Sequence, residues 1–139
     1  VKIDRWDTWS MDHTLSYIIL PMLKQLKETK HGSPFVDDED VPEELKSTSA
    51  PPKENEWDTD DNHFKRWDWV LDEMIWAFEQ KVDDSSDEKF FDYSESNGKL
   101  PWDKDYVGPK YDVEGHQEWQ KRKSNGFRLF GKYYEALWD

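Results

Sequence analysis

A hydrolytic nucleophile needs a serine or cysteine with a base and an orienting acid beside it, and this chain offers little material for such a set. It has no cysteine and four histidines, His13, His31, His63 and His116, none with a recognisable partner in sequence. No G-x-S-x-G elbow, P-loop or dinucleotide-binding glycine pattern occurs, and no two histidines stand at zinc-ligand spacing. Asp84, Ser86, Glu88, Phe90, Asp92 and Glu95 fall at the ligand positions of a calcium loop. Its sixth position, however, is Lys89 where the sharp turn needs glycine, and no exit helix follows. The expectation is a protein without catalytic residues, metal or cofactor.

Binding chemistry is better represented. Nine tryptophans, six tyrosines and seven phenylalanines are many for 139 residues, and rings beside cations are the parts of a pocket for a small anionic nucleotide, with bases stacked and phosphates paired. The candidates are Trp69, Trp76 and Tyr133 for stacking, with Arg66, Lys121, Arg122, Arg128 and Lys132 for phosphate. The opposite chemistry competes: dense carboxylates imitate nucleic-acid phosphates and fill the basic groove of a protein that handles DNA. A basic cluster from Lys121 to Lys132 favours the pocket, since a mimic has little need of it. The plainer alternatives are a solvated helix face paired with acidic loops for that cluster, and burial against a helix or a second subunit for Trp69 and Trp76.

Three helices must position these residues. From His63 to Val82, Phe64, Trp67, Leu71, Met74, Ile75, Phe78 and Val82 recur at steps of three and four and form a core stripe. Asp61 or Asn62 suits the N-cap and Lys81 the C-terminal end. Trp69 and Trp76 lie off that stripe, so this helix needs partners on two sides. Leu15, Ile18, Ile19, Met22, Leu23 and Leu26 form a second core stripe over residues 11–30, capped by Thr8, Ser10 or Asp12, kinked by Pro21 and ended by Gly32. A third helix spans 113–137 on a broken stripe of Trp119, Phe127, Phe130, Tyr134, Leu137 and Trp138. There Gly126 and Gly131 either break the helix or admit another backbone, and Asn125-Gly126 is a possible turn.

The remainder is acidic loop. Formal net charge is −13 with 37% charged residues, and Leu, Ile, Val and Phe make up about a fifth of the chain, a composition near that of disordered proteins. The aromatics argue instead for a core with long loops, near 33–61 and 83–112. Asp37 to Asp61 holds eleven carboxylates against Lys46 and Lys53. VPEELK is expected to make one helical turn from Pro42, and Asn97-Gly98 a tight turn. Val1 to Trp9 is expected to be an extended arm. Without disulfides the loops must be held by packing, ions or another subunit, so a homo-oligomer is expected. No leader pattern and no apolar run long enough to span a bilayer occurs, and a soluble protein is expected. The commitment is one mainly α domain, a small aromatic-rich helical bundle with an extended N-terminal arm and two long acidic loops.

The segments WDTWSMDHTLSYIILPMLKQLKETKHGSPFVDDEDVP, HFKRWDWVLDEMIWAFE and NGFRLFGKYYEALWD resemble a set of small acidic proteins of tailed bacteriophages, over nearly the whole chain. That set is similar in size and character to the phage sponge proteins that sequester cyclic-nucleotide signals of antiphage defence. The resemblance implies a viral protein in the cytoplasm of an infected bacterium. It further implies a non-catalytic oligomer that binds a cyclic or related signalling nucleotide between subunits, with no membrane and no long nucleic acid as partner. The alternatives are an acidic decoy of a host nucleic-acid-handling protein and a minor virion component.

Overall fold

The computed structural model describes the whole chain, Val1–Asp139. Its architecture is the expected small, mainly α bundle: α1 (Met11–Thr29), α2 (His63–Val82) and α3 (Val113–Lys132), with one minor two-stranded sheet. No helix is long and apolar enough to cross a membrane. α2 is the central element, packed on α1 on one side and α3 on the other, which answers its two apolar faces. Trp67, Val70, Leu71, Met74, Ile75, Ala77 and Phe78 are buried along it, and Leu23, Leu129 and Tyr133 close the core from its neighbours. Phe64, expected in the core, is exposed at the helix start, with its ring edge-on to the His63 imidazole at 4.9 Å.

Ion pairs and one close contact fix the register of the bundle. Lys27 of α1 and Lys30 just beyond its end reach Asp72 and Asp68 of α2, the second at 2.7 Å, and Lys81 of α2 reaches back to Asp12. Trp119 Nε1 donates to Gln80 Oε1 at 2.9 Å across α2 and α3. Asn125-Gly126 is no turn: α3 runs through it unbroken to Lys132. Gly126 is instead a point of close approach to α2, since a Cβ there would stand 2.5 Å from Ala77 Cβ and 2.7 Å from the Glu73 carbonyl oxygen. α3 ends at Lys132, short of the expected 137, and a 3-10 turn (Tyr134–Ala136) completes the chain.

Other local expectations need correction. α1 stops at Thr29 with Lys30 extended, and Gly32 does not take the left-handed conformation of a helix-ending glycine; Gly98, at φ 70°, is the one residue with positive φ. Asn97-Gly98 is thus the tight turn expected. Half of the N-terminal arm is not extended, because Asp4 and Asp7 form a capping box around a 3-10 turn over Arg5–Thr8. The acidic loops carry short 3-10 turns at Asp38–Asp40, Glu43–Leu45, Ser47–Ser49 and Glu88–Phe90. The turn expected in VPEELK is therefore there, with Pro42 as its cap. β1 (Phe91–Asp92) and β2 (Lys110–Tyr111) pair antiparallel, Phe91 opposite Tyr111, at the neck of the second loop. Most consequential is α1, whose expected core stripe is split: Leu23 is buried and Ile19 and Leu26 pack on the core, while Leu15, Ile18 and Met22 face outward.

Candidate functional site

The carboxylates fall into two populations, and the division defines what the surface has to offer. The inner population sits where the first acidic loop meets the helices. Asp40, 5% exposed, accepts from Arg128 Nη2 at 2.8 Å, from Tyr133 Oη at 2.6 Å and from Lys132 Nζ at 2.6 Å. Burial pushes its carboxyl up, but the three donors outweigh burial and hold it below the usual carboxylate value. The same burial, with the Asp40 hydrogen bond, pushes the Tyr133 hydroxyl up to about 12. Lys132 also reaches Asp37 and Glu39. The carboxylates of Asp37, Glu39 and Asp40 converge closely enough to hold a metal ion, and the Lys132 ammonium lies among them. A resident cation of the protein's own takes that place.

A second anchor lies at the other end of the same loop. Arg66, 4% exposed, donates Nη1 and Nη2 to the two oxygens of Asp60 at 2.8 and 2.7 Å, and Nη1 to the Leu45 carbonyl at 3.2 Å. Such a fork is the strong form of a charge pair. The guanidinium holds the Asp60 carboxyl at about 2 against its burial. Asn62, the N-cap of α2, caps nothing with its side chain; its amide donates to the Glu44 and Lys46 carbonyls and ties the loop to the helix start.

The Asp60 carboxyl has an ordinary value of 3.8, so its folded value lies below its unfolded one. Its stabilising contribution is complete above about pH 4 and is lost as pH falls through about 2. Asp12, Asp38 and Asp40 are lowered likewise and act with the same sign. The melting temperature is expected to fall steeply between about pH 4 and pH 2. A calorimetric scan that is flat over that interval would contradict this assignment.

The eight candidate residues are thereby placed. Arg66, Arg128 and Lys132 do not present free cations to a phosphate, because each is engaged by a carboxylate of the first acidic loop. Tyr133 does not present a stacking face: it is buried, edge-on to Trp67 at 5.9 Å. Trp69 is half-buried against the core. Trp76 and Arg122 are brought together, the guanidinium 3.9 Å from the ring centroid, while Arg122 also makes a fork with Glu73 at 3.1 and 2.7 Å. Lys121 alone is without an ion pair, beside Gln117, Gln120 and Ser124 at a shallow polar cleft of about 460 Å3. The structure therefore forms no single basic pocket from the eight.

The histidines are equally scattered. His13 faces Asp84 at 3.7 Å and Tyr17 at 3.3 Å, His31 pairs with Asp139 at 2.7 Å, and His116 with the Tyr111 hydroxyl at 2.7 Å. His63 is buried, with Nδ1 unpartnered, edge-on to Phe35 and Phe64.

The outer population of carboxylates, weighed in the sequence as a phosphate mimic, surrounds rings that sequence reasoning passed over. Glu44, Glu54, Glu56, Asp58 and Asp61 are exposed and engaged by no cation. Among them Trp57 stands 84% exposed on a turn shaped by Asn55 donating to Asp58 at 3.0 Å and Lys53 to the Glu56 carbonyl at 3.1 Å. On the second loop Trp102 is 78% exposed, next to Asp103, whose carboxylate takes the Leu100 N–H at 3.0 Å. The signal was present in KENEWDTDD and LPWDKD, where a large ring sits among acids and prolines with no apolar periodicity to bury it.

Comparison with protein-family models, with curated proteins and with solved structures finds no match.

Proposed function

We propose that this chain is a non-catalytic interaction protein whose outer acidic loops, anchored by exposed tryptophans, occupy the basic surface of a host protein that handles nucleic acid. The observation that carries this reading is Trp57, 84% exposed amid the unpaired Glu54, Glu56, Asp58 and Asp61. A partner that covers the ring gains the burial free energy it lacks in water, and tryptophan is among the residues that dominate binding energies. Carboxylates around it steer a basic partner and reject an acidic one. The inner cations hold the loop in shape and leave the excess negative charge outside. The likeness of three segments to small acidic phage proteins supports a setting in the cytoplasm of an infected bacterium.

The immobilised protein is expected to retain basic nucleic-acid-binding proteins from a bacterial lysate at about 50 mM salt and to release them at several hundred millimolar, with duplex DNA competing. Trp57→Ala should weaken capture about thirtyfold or more without altering the melting temperature, since the ring packs on nothing. Capture that ignores both salt and the Trp57 substitution would sink the proposal.

A second reading, sequestration of a cyclic or related nucleotide, keeps one supporting observation. Trp76, Arg122 and the adjoining Lys121 place a ring, a guanidinium and an unpaired ammonium on one stretch of the α2 and α3 surface. Such a ligand would have to compete with Glu73 for Arg122.

A further inference from the structure

α1 carries two apolar stripes, and the fold uses one. Ser16, Ile19, Leu20, Leu23 and Leu26 turn toward α2 and the end of α3. Met11, Leu15, Ile18, Met22, Gln25 and Thr29 succeed one another at steps of 4, 3, 4, 3 and 4, which is the spacing of a coiled-coil seam rather than of a broad core face. All six are exposed, Ile18 at 55% and Met22 at 66%. No charged residue interrupts the seam in a chain that is 37% charged, and Thr14 and Pro21 beside it are uncharged as well. Depletion of charge with retention of methionine is the composition of an interface centre.

We infer that this seam pairs with the seam of a second copy, antiparallel about a two-fold axis. Centring the axis between Ile18 and Met22 sets Ile18 against Met22 of the other copy, Leu15 against Gln25 and Met11 against Thr29. Glu28, at one margin of the seam, then lies opposite the uncharged Thr14, and Asp12, at the other margin, opposite Leu26, so no like charges meet. A seam of five turns, about 28 Å, is short for a coiled coil on its own. The rest of the contact is supplied by a cleft of about 610 Å3 lined by Ile19, Met22, Leu26, Phe130, Tyr134 and Leu137. The cleft opens along the C-terminal half of α1. The exposed Trp9, held edge-on to Trp6 at 4.2 Å, stands before the N-terminal end. Within one copy the two lie at opposite ends of the helix; antiparallel pairing brings Trp9 of each copy to the cleft of the other.

Two copies of a −13 chain repel, so salt strengthens this association. It weakens the capture of a basic partner. The salt response therefore separates a failure of one reading from a failure of the other. Sedimentation velocity from about 5 to 200 µM at low and at 0.5 M salt is expected to show a dimer favoured by salt. Ile18→Glu should raise its dissociation constant about thirtyfold or more with far-UV circular dichroism unchanged, and Trp9→Ala should weaken it by a smaller factor. Met11→Cys and Thr29→Cys copies, mixed in a chain otherwise free of cysteine, should cross-link to each other and not to themselves. A monomer across the whole range, or a dimer indifferent to Ile18→Glu, or self-cross-linking of Thr29→Cys, would overturn the inference.

Discussion

Arg66→Met is expected to destabilise the fold by about 3–5 kcal/mol, the cost of leaving one partner of a buried charge pair without the other. The substitution keeps the length of the stem and removes only the fork. It strands the Asp60 carboxylate, which retains the Asn62 N–H at 3.0 Å, and it leaves the Leu45 carbonyl without its donor. For a chain of this length the loss corresponds to a fall in melting temperature of roughly 10 °C or more. Asp60→Leu combined with Arg66→Met should recover at least half of it, because an apolar pair of similar volume avoids the desolvation that the ion pair must offset. Chemical denaturation of the two variants checks this directly. A loss below about 1 kcal/mol for Arg66→Met would mean that the pair behaves as an exposed one.

Gly126→Ala is the second large effect. In an isolated helix alanine is better than glycine by about 1 kcal/mol, so propensity alone makes the change favourable. Here the added methyl would meet Ala77 Cβ at 2.5 Å and the Glu73 carbonyl at 2.7 Å, and the second of these belongs to the backbone of α2, which cannot rotate away. Overpacking should win, with a net loss of about 1–3 kcal/mol. Ala77→Gly in the same chain removes one of the two obstructions and should restore only part of that loss. A Gly126→Ala protein that melts at or above the parent temperature would show that α2 and α3 are free to part.

These two sites mark what the sequence made legible. Gly126 carried a readable signal: a glycine inside a helical pattern asks either for a break or for a close neighbour, and the unbroken α3 selects the neighbour. The span of α2 followed from its period, since seven apolar residues on one stripe leave little choice. α1 could not be resolved the same way. Both of its stripes recur at three and four, and which of them faces inward depends on where α2 lies, a fact of tertiary packing that no local pattern holds. Phe64 was misread for the same reason, at a helix end where the stripe outruns the core.

The site was less legible than the fold. Among 32 carboxylates nothing local singles out Asp40, whose partners Arg128 and Tyr133 lie some ninety residues on, or Asp60, whose partner is six residues away across a helix start. Four of the five cations chosen for their chemistry, all but Lys121, are engaged by the fold's own carboxylates, a general hazard in an acidic chain with few cations. Trp57 and Trp102 could have been found by asking of each aromatic residue which stripe it belongs to. Neither belongs to any, and a ring without a stripe in a loop of acids is what a binding surface needs.

The most direct test of whether the protein acts through that surface is native mass spectrometry of the chain recovered from bacteria in which it has been expressed, before and after adding host lysate. The account predicts that the recovered protein carries no nucleotide-sized mass. It further predicts that added lysate shifts it to a complex with a basic protein, that salt dissolves the complex, and that Trp57→Ala prevents it. A protein that emerges with a nucleotide bound, and that lysate leaves unshifted, would contradict it and return the site to Trp76, Lys121 and Arg122.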